Sequence, residues 1–271
     1  LACLGTGVTV VVAERTHATF RGLQAIRSLL RRISYARAAT TVVLAEESAR
    51  YLRERFKLKR IDVIPNAVSL PLPVTQPVLT PEDHLDPHDP VALFVGRMGP
   101  EKQPLKALTC FQQACPPESR WQMVFIGDGP LAAEVDQAIA DLPEDIRARR
   151  IPSVGNIEAW YRRADVFIAT SLFEGSPNAL LEAMACGCAV IATDCLTGPG
   201  TLIDHGHNGL LIPLGADQTY TAELHKLLSD AALRAHLADN ASQVVTTHSD
   251  AQFFTRWQQT LARAADPSPS A

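Results

Sequence analysis

Glu174 and Glu182 stand eight positions apart in Phe173-Glu-Gly-Ser-Pro-Asn-Ala-Leu-Leu-Glu-Ala-Met-Ala-Cys-Gly187, where an apolar run passes into a helical pattern. Two carboxylates at such a junction could be acid and base partners or acceptors for hydroxyl groups. The residues between them favour recognition. Gly175 lets a ligand approach the backbone closely, since no side chain intervenes. Ser176 suits an N-cap and Pro177 the first helical position, so a helix is expected from there. Its first N–H groups and the positive end of its dipole suit an anion such as phosphate. Acceptors for hydroxyls beside donors for phosphate are what a nucleotide-sugar requires.

The elements that must position these groups alternate along the chain. Residues 8–13, 41–44 and 61–64 read as strands, with helices over 20–38 and 46–56 between them, which implies a parallel sheet. A stretch carrying Pro71, Pro73, Pro77, Pro81 and Pro87 follows and reads as a linker. A second alternating series places strands at 91–95, 122–126, 150–152, 166–169, 189–192 and 209–212. Helices fit 102–114, 131–141, 157–163, 177–185, 218–229, 231–244 and 251–265. The expected fold class is α/β, with two Rossmann-like doubly wound domains, the N-terminal one incomplete. The expected boundaries are 1–68 for that partial domain, 69–90 for the linker and 91–250 for the second domain. A helix over 251–265, returning to the first domain, and a disordered tail over 266–271 complete the division. In such sheets ligands bind beyond the carboxyl ends of the strands.

Several further motifs fall at those ends. The strand 91–95 runs into Gly96-Arg97-Met-Gly-Pro-Glu-Lys102, where a guanidinium and an ammonium could cradle a diphosphate. Alone, the same cluster reads equally as a surface loop. The strand 122–126 ends in Gly127-Asp-Gly129-Pro, and Val154-Gly-Asn156-Ile could present backbone groups to a base edge or form a plain turn. Neither a GxGxxG fingerprint nor a Walker lysine loop is present, which argues against a nicotinamide cofactor.

Composition narrows the classes further. The formal net charge is −4, yet residues 15–60 hold 12 Lys or Arg against 3 Glu. Such a segment reads either as solvated helix faces or as a surface for anionic partners such as acidic lipid headgroups. Tyr35, Tyr51 and Phe56 are too sparse for a nucleic-acid stacking platform. Six cysteines show no metal spacing and read as buried thiols of a reducing, cytoplasmic compartment. The start at Leu1, in what reads as the end of a helix, suggests a chain lacking its natural N-terminus.

Taken in order, Gly96-Arg97…Lys102, Gly127-Asp-Gly129, Tyr161-Arg-Arg-Ala-Asp165, Glu174-x7-Glu182 and Asp204-His-Gly-His-Asn-Gly resemble the retaining glycosyltransferases of family 4, which have the GT-B fold. The resemblance implies that Arg97 and Lys102 hold the diphosphate and neutralise it as it leaves. Glu182 would accept both ribose hydroxyls and Glu174 would contact the transferred sugar. Gly96, Gly127, Asn156, Gly175, Ser176, Asn178, Ala179 and Leu180 would complete the donor site, largely through backbone groups. Arg15 seats where many members carry a histidine, and His17 is either a second group on the sugar or acceptor side or a structural histidine. Thr201 stands where relatives usually have Glu. No metal and no cofactor is expected, the nucleotide-sugar being a substrate, with uridine the commonest base in the family. The implied activity is hexosyl transfer to a hydroxyl acceptor with retention, in lipid-linked glycan or surface polysaccharide synthesis. The implied partners are a nucleotide-sugar, a glycan or lipid-linked acceptor and an inner membrane face touched through 15–60, with no nucleic acid. A retaining glycosidase, a nucleotide-sugar epimerase of the same fold and a non-catalytic nucleotide-sugar-binding fragment are the alternatives.

Overall fold

The computed structural model describes residues 6–15 and 25–265. They form two compact units: Leu1–Ala67, Glu174–Ser176 and His248–Ala271 make one, and Val68–Phe173 with Pro177–Thr247 the other. The expected calls on His17, Cys3 and the tail over 266–271 lie outside the described residues.

In the first unit, β1 (Val11–Glu14), β2 (Thr40–Val43) and β3 (Ile61–Val63) form a three-stranded parallel sheet in that order. The crossovers carry α1 (Ala25–Ala36) and α2 (Glu46–Phe56). Apolar residues recur at helical spacing along α2, so Ala49, Leu52 and Phe56 turn inward and pack with Val43 and Leu58 in a small core. Glu14 at the end of β1 accepts from Arg31 and from the Tyr35 hydroxyl, tying α1 to the sheet. The terminal helix α10 (Asp250–Ala265) belongs to this unit, and Asp62 of β3 accepts from Thr260 Oγ1 at 2.9 Å and from Arg263 at 2.8 Å.

The second unit holds a six-stranded, wholly parallel sheet in the order β6-β5-β4-β7-β8-β9. Its strands are β4 (Val91–Val95), β5 (Gln122–Ile126), β6 (Arg147–Ile151), β7 (Val166–Ala169), β8 (Ala189–Asp194) and β9 (Leu210–Pro213). Apart from the charged edge strand β6, they read as largely apolar runs buried on both faces, and alternate residues feed two cores. Leu93, Val124, Phe167 and Val190 join one core, under α5 (Ile157–Arg163) and α6 (Asn178–Ala185). Phe94, Phe125, Ile168 and Ile191 join the other, under α3 (Pro104–Ala114), α4 (Ala132–Ala140), α7 (Asp217–Ser229) and α8 (Ala231–Ala241). A short α9 (Val244–Thr247) follows.

The proline-rich stretch is a correction to the expected linker. It belongs to the second unit, with Val68, Leu72 and Leu85 buried in the first of its two cores. Trp160, itself buried, donates from Nε1 to the Leu79 carbonyl at 2.9 Å, and Gly155 exchanges backbone hydrogen bonds with Thr75 and Pro77. The prolines keep the stretch out of α-helix, leaving one 3-10 turn over Pro81–Asp83, and the apolar residues between them then find a core to cover.

Strand β6 begins earlier than expected because its charged residues have partners. Arg147 pairs with the buried Asp89 at 2.6 Å and Arg150 with Asp136, also at 2.6 Å, on an edge strand where such residues are tolerated. No described helix is long and apolar enough to cross a membrane.

Candidate functional site

The strand order reverses between β4 and β7: β5 and β6 build outward on one side, β8 and β9 on the other. Loops leaving the carboxyl ends of β4 and β7 therefore diverge from a common crevice, the usual ligand site of an open parallel sheet. Gly96, Arg97 and Lys102 lie on the loop after β4. That loop is fastened to the one after β7: the Thr170 hydroxyl donates to the carbonyls of Lys102 and Gln103, each at 3.0 Å, and Leu172 N donates to Glu101 O at 2.8 Å.

The neighbouring turn after β5 packs against it. Gly96 N donates to Ile126 O, Met98 N to Asp128 O and Leu131 N to Met98 O. Gly127 must be glycine here, because a Cβ would stand 2.1 Å from the Gly96 carbonyl oxygen. Behind this turn, Arg150 donates to Gly127 O and pairs with both Asp128 and Asp136, while Asp128 accepts from Ser153 N at 2.9 Å. Arg150 is thus a supporting residue that its charge-rich strand concealed.

Arg97 is exposed. The aliphatic stem of Lys102 passes beside Gly96, 3.6 Å from where a Cβ on that residue would be, an ordinary van der Waals contact. Helix α3 starts two residues later than expected. Gln103 takes a left-handed conformation at φ 51°, and Pro104 opens the helix. The residue before a proline is steered away from helical geometry, which separates Lys102 from α3.

Helix α6 begins at Asn178 with Pro177 at its N-cap, and no side chain caps it. Ser176, expected there, is diverted: its hydroxyl accepts from Asn66 Nδ2 at 3.0 Å. Ala179 and Leu180 stand with Asn178 in the first turn, where amides have no preceding turn to donate to. Glu182 follows one turn later and is half-buried. Its Oε2 accepts from the hydroxyl of Tyr161, at 3.0 Å. Burial pushes the Glu182 carboxyl above the ordinary range, and the Tyr161 hydrogen bond opposes that shift.

Asn156 stands at the N-cap of α5. Its side-chain oxygen accepts from Leu79 N at 3.0 Å and its amide donates to Leu79 O at 2.9 Å. Both polar ends of the side chain thus hold the proline-rich segment.

Glu174, Gly175 and Ser176 group with the first unit, where Glu174 is buried. There Arg15 donates to Asn66 Oδ1 at 2.9 Å, and the same Asn66 holds Ser176. Asn66 therefore joins two of the expected residues and was given no role by the sequence. Thr201 lies in a 3-10 turn and donates to Gly198 O at 2.8 Å.

Among the described residues no group of three His, Cys, Asp or Glu is placed to hold a metal ion. The described cysteines are all free thiols, with Cys110, Cys188 and Cys195 buried and Cys115 and Cys186 only half-buried.

A doubly wound, wholly parallel sheet of this order defines a class, the α/β proteins of GT-B fold. The chain belongs to the family Glycosyl transferases group 1, whose model matches residues 89–230. It is 26% identical over 255 residues to the amylovoran biosynthesis glycosyltransferase AmsD of Erwinia amylovora, covering 90% of this chain and 68% of that one. It is 25% identical over 264 residues to a Campylobacter jejuni enzyme named as a GalNAc-alpha-(1->4)-GalNAc-alpha-(1->3)-diNAcBac-PP-undecaprenol alpha-1,4-N-acetyl-D-galactosaminyltransferase, with 96% and 70% of the two chains covered. Anabaena Alr3699/HepE, crystallised with UDP and glucose, superposes with a TM-score of 0.80 at 20% identity, over 94% of this chain and 71% of that one. The chain spans only 24% of the exopolysaccharide phosphotransferase SCO2592 of Streptomyces coelicolor, to which it is 28% identical over 233 residues.

Proposed function

We propose that this chain carries the donor site of a retaining, family 4-type hexosyltransferase that takes its sugar from a nucleoside diphosphate, with UDP-sugars the first to test. The observation that carries the reading is the switch point between β4 and β7, where the loop bearing Arg97 and Lys102 is fastened to the loop leaving β7. Fixed cations at that position favour a diphosphate as negative charge develops on it. Arg97 and Lys102 bind the diphosphate, Glu182 accepts from the ribose, and Glu174 contacts the sugar. In the transfer step the bond from the anomeric carbon to the diphosphate breaks. The acceptor oxygen bonds to the same face, and its proton passes to the leaving phosphate. Neither glutamate forms a covalent intermediate, and no metal or cofactor enters the scheme.

The relatives' names, with their amylovoran and undecaprenol-linked products, support a glycan or lipid-linked acceptor. We assign the basic segment 15–60 to peripheral contact with the anionic inner face of the membrane. Arg32, Arg37, Arg50, Arg55, Lys59 and Arg60 are all exposed there. Cosedimentation with anionic vesicles that salt abolishes, and none with zwitterionic vesicles, is the expected behaviour.

Transfer assays with nucleotide-sugars and a glycan acceptor test the enzyme reading, the product's anomeric configuration being read by NMR. Lys102→Ala should slow transfer by about 10²-fold, with a much smaller effect on nucleotide binding. An inverted product contradicts retention. Epimerised donor formed without acceptor would identify an epimerase, and hydrolysis of a nitrophenyl glycoside without nucleotide would identify a glycosidase.

A further inference from the structure

The roles assigned so far leave Tyr161 without one. Its side chain is fully buried on α5, packed against the Phe167 ring with centroids 6.0 Å apart. A buried hydroxyl is costly unless it is hydrogen-bonded, and phenylalanine would fill the same space without that requirement. The hydroxyl's partner is Glu182 Oε2, and among the described residues the Glu182 carboxylate takes no other hydrogen bond. A phenol on a rigid, packed ring fixes its acceptor in both distance and direction. One carboxylate oxygen is thereby occupied from inside the core, and Oε1 is left to accept from elsewhere.

We propose that Tyr161 is a positioning residue of the donor site: it locks the Glu182 carboxylate so that Oε1 meets the vicinal hydroxyls of the donor's ribose. This rests on the reading of Glu182 as the ribose acceptor. Tyr161 touches no substrate; it acts through Glu182.

A second consequence concerns protonation. Only the ionised carboxylate can accept from two ribose hydroxyls as well as from Tyr161. Burial drives the Glu182 carboxyl up and the Tyr161 bond holds it down, while burial keeps the Tyr161 phenol protonated. The other titratable groups nearby are Cys186 and Cys188 beyond the end of α6, and Glu158 and Arg162 on α5. Burial pushes the Cys186 thiol to about 11 and the Cys188 thiol higher, so both stay neutral. Glu158 and Arg162 pair with each other at 2.7 Å. None of these supplies a hydrogen bond that replaces the one from Tyr161.

The test is titration of the chain with UDP and with 2′,3′-dideoxy-UDP, for wild type, Tyr161→Phe and Glu182→Gln, across about pH 5 to pH 8. Tyr161→Phe keeps the buried ring. It should weaken UDP about five- to tenfold at neutral pH, the loss of one hydrogen bond, and leave the dideoxy ligand unaffected. It should also move the acid-side loss of UDP binding to higher pH. Equal weakening of both ligands, or an acid edge that stays in place, reduces Tyr161 to packing and overturns the proposal. Glu182→Gln separates the two levels. If that variant keeps the wild-type preference for UDP over the dideoxy ligand, the ribose reading itself falls and takes the proposal with it. If it loses the preference while Tyr161→Phe changes nothing, only the proposal falls.

Discussion

Glu182, which we propose accepts from the ribose, is held at a cost to stability. Burial raises its carboxyl above the ordinary value of 4.5, and the opposing influence is a hydrogen bond from a neutral phenol rather than a cation. Between the unfolded and folded pKa values the native state binds more protons than the unfolded one. Stability therefore falls as pH rises through that window, and the whole deficit is present above it. Glu182→Gln should raise the melting temperature at neutral pH and leave it nearly unchanged below about pH 4, while weakening nucleotide binding. Thermal melts across pH check this, and a variant equally destabilised at every pH contradicts it. The spacing of the two glutamates was readable from the sequence, and so was the helix between them. The fate of Ser176 was not. Its capping preference is local, whereas Asn66, which claims its hydroxyl, is 110 residues away in the chain. Tyr161 was visible only as part of a motif, since nothing local reveals that its hydroxyl meets a carboxylate 21 residues on.

At the scale of elements, β4, β5, β7 and α5 fall where hydrophobic runs and their Gly or Pro boundaries placed them. Those strands are buried on both faces, so composition alone marks them. The start of strand β6 was missed because the strand's arginines are satisfied by Asp89, Asp128 and Asp136 from elsewhere in the chain. The proline-rich stretch misled for a related reason: prolines forbid regular structure without forbidding burial. The docking of that stretch gives a sharp prediction. A Cβ on Gly155 would stand 1.9 Å from the Thr75 carbonyl oxygen. Gly155→Ala should therefore cost about 1–3 kcal/mol and accelerate exchange of the Thr75 amide, which now donates to Gly155 O at 2.8 Å. Denaturant unfolding and hydrogen exchange read the two effects. An alanine variant of wild-type stability would show that the segment yields without cost.

Across the whole molecule, the chain returns to the first unit twice, through 174–176 and again from His248 onward. The return through 174–176 has no composition signature, because it depends on partners distant in sequence. Asp62 anchors the second return by accepting from Thr260 and Arg263. Asp62→Ala should lower stability by about 1–2 kcal/mol and expose α10 to limited proteolysis, with cleavage products identified by mass spectrometry. Unchanged protection of α10 would mean that its packing suffices without Asp62.

The central claim is that the switch point of the six-stranded sheet is a nucleotide-sugar site built from Arg97, Lys102 and Glu182. Calorimetric titration of the chain with UDP-, GDP-, dTDP- and ADP-hexoses tests it most directly. The account predicts saturable binding of at least one of them, weakened about tenfold or more in Arg97→Ala. Absence of binding by every member of that panel, or an Arg97→Ala variant that binds as tightly as wild type, would contradict it.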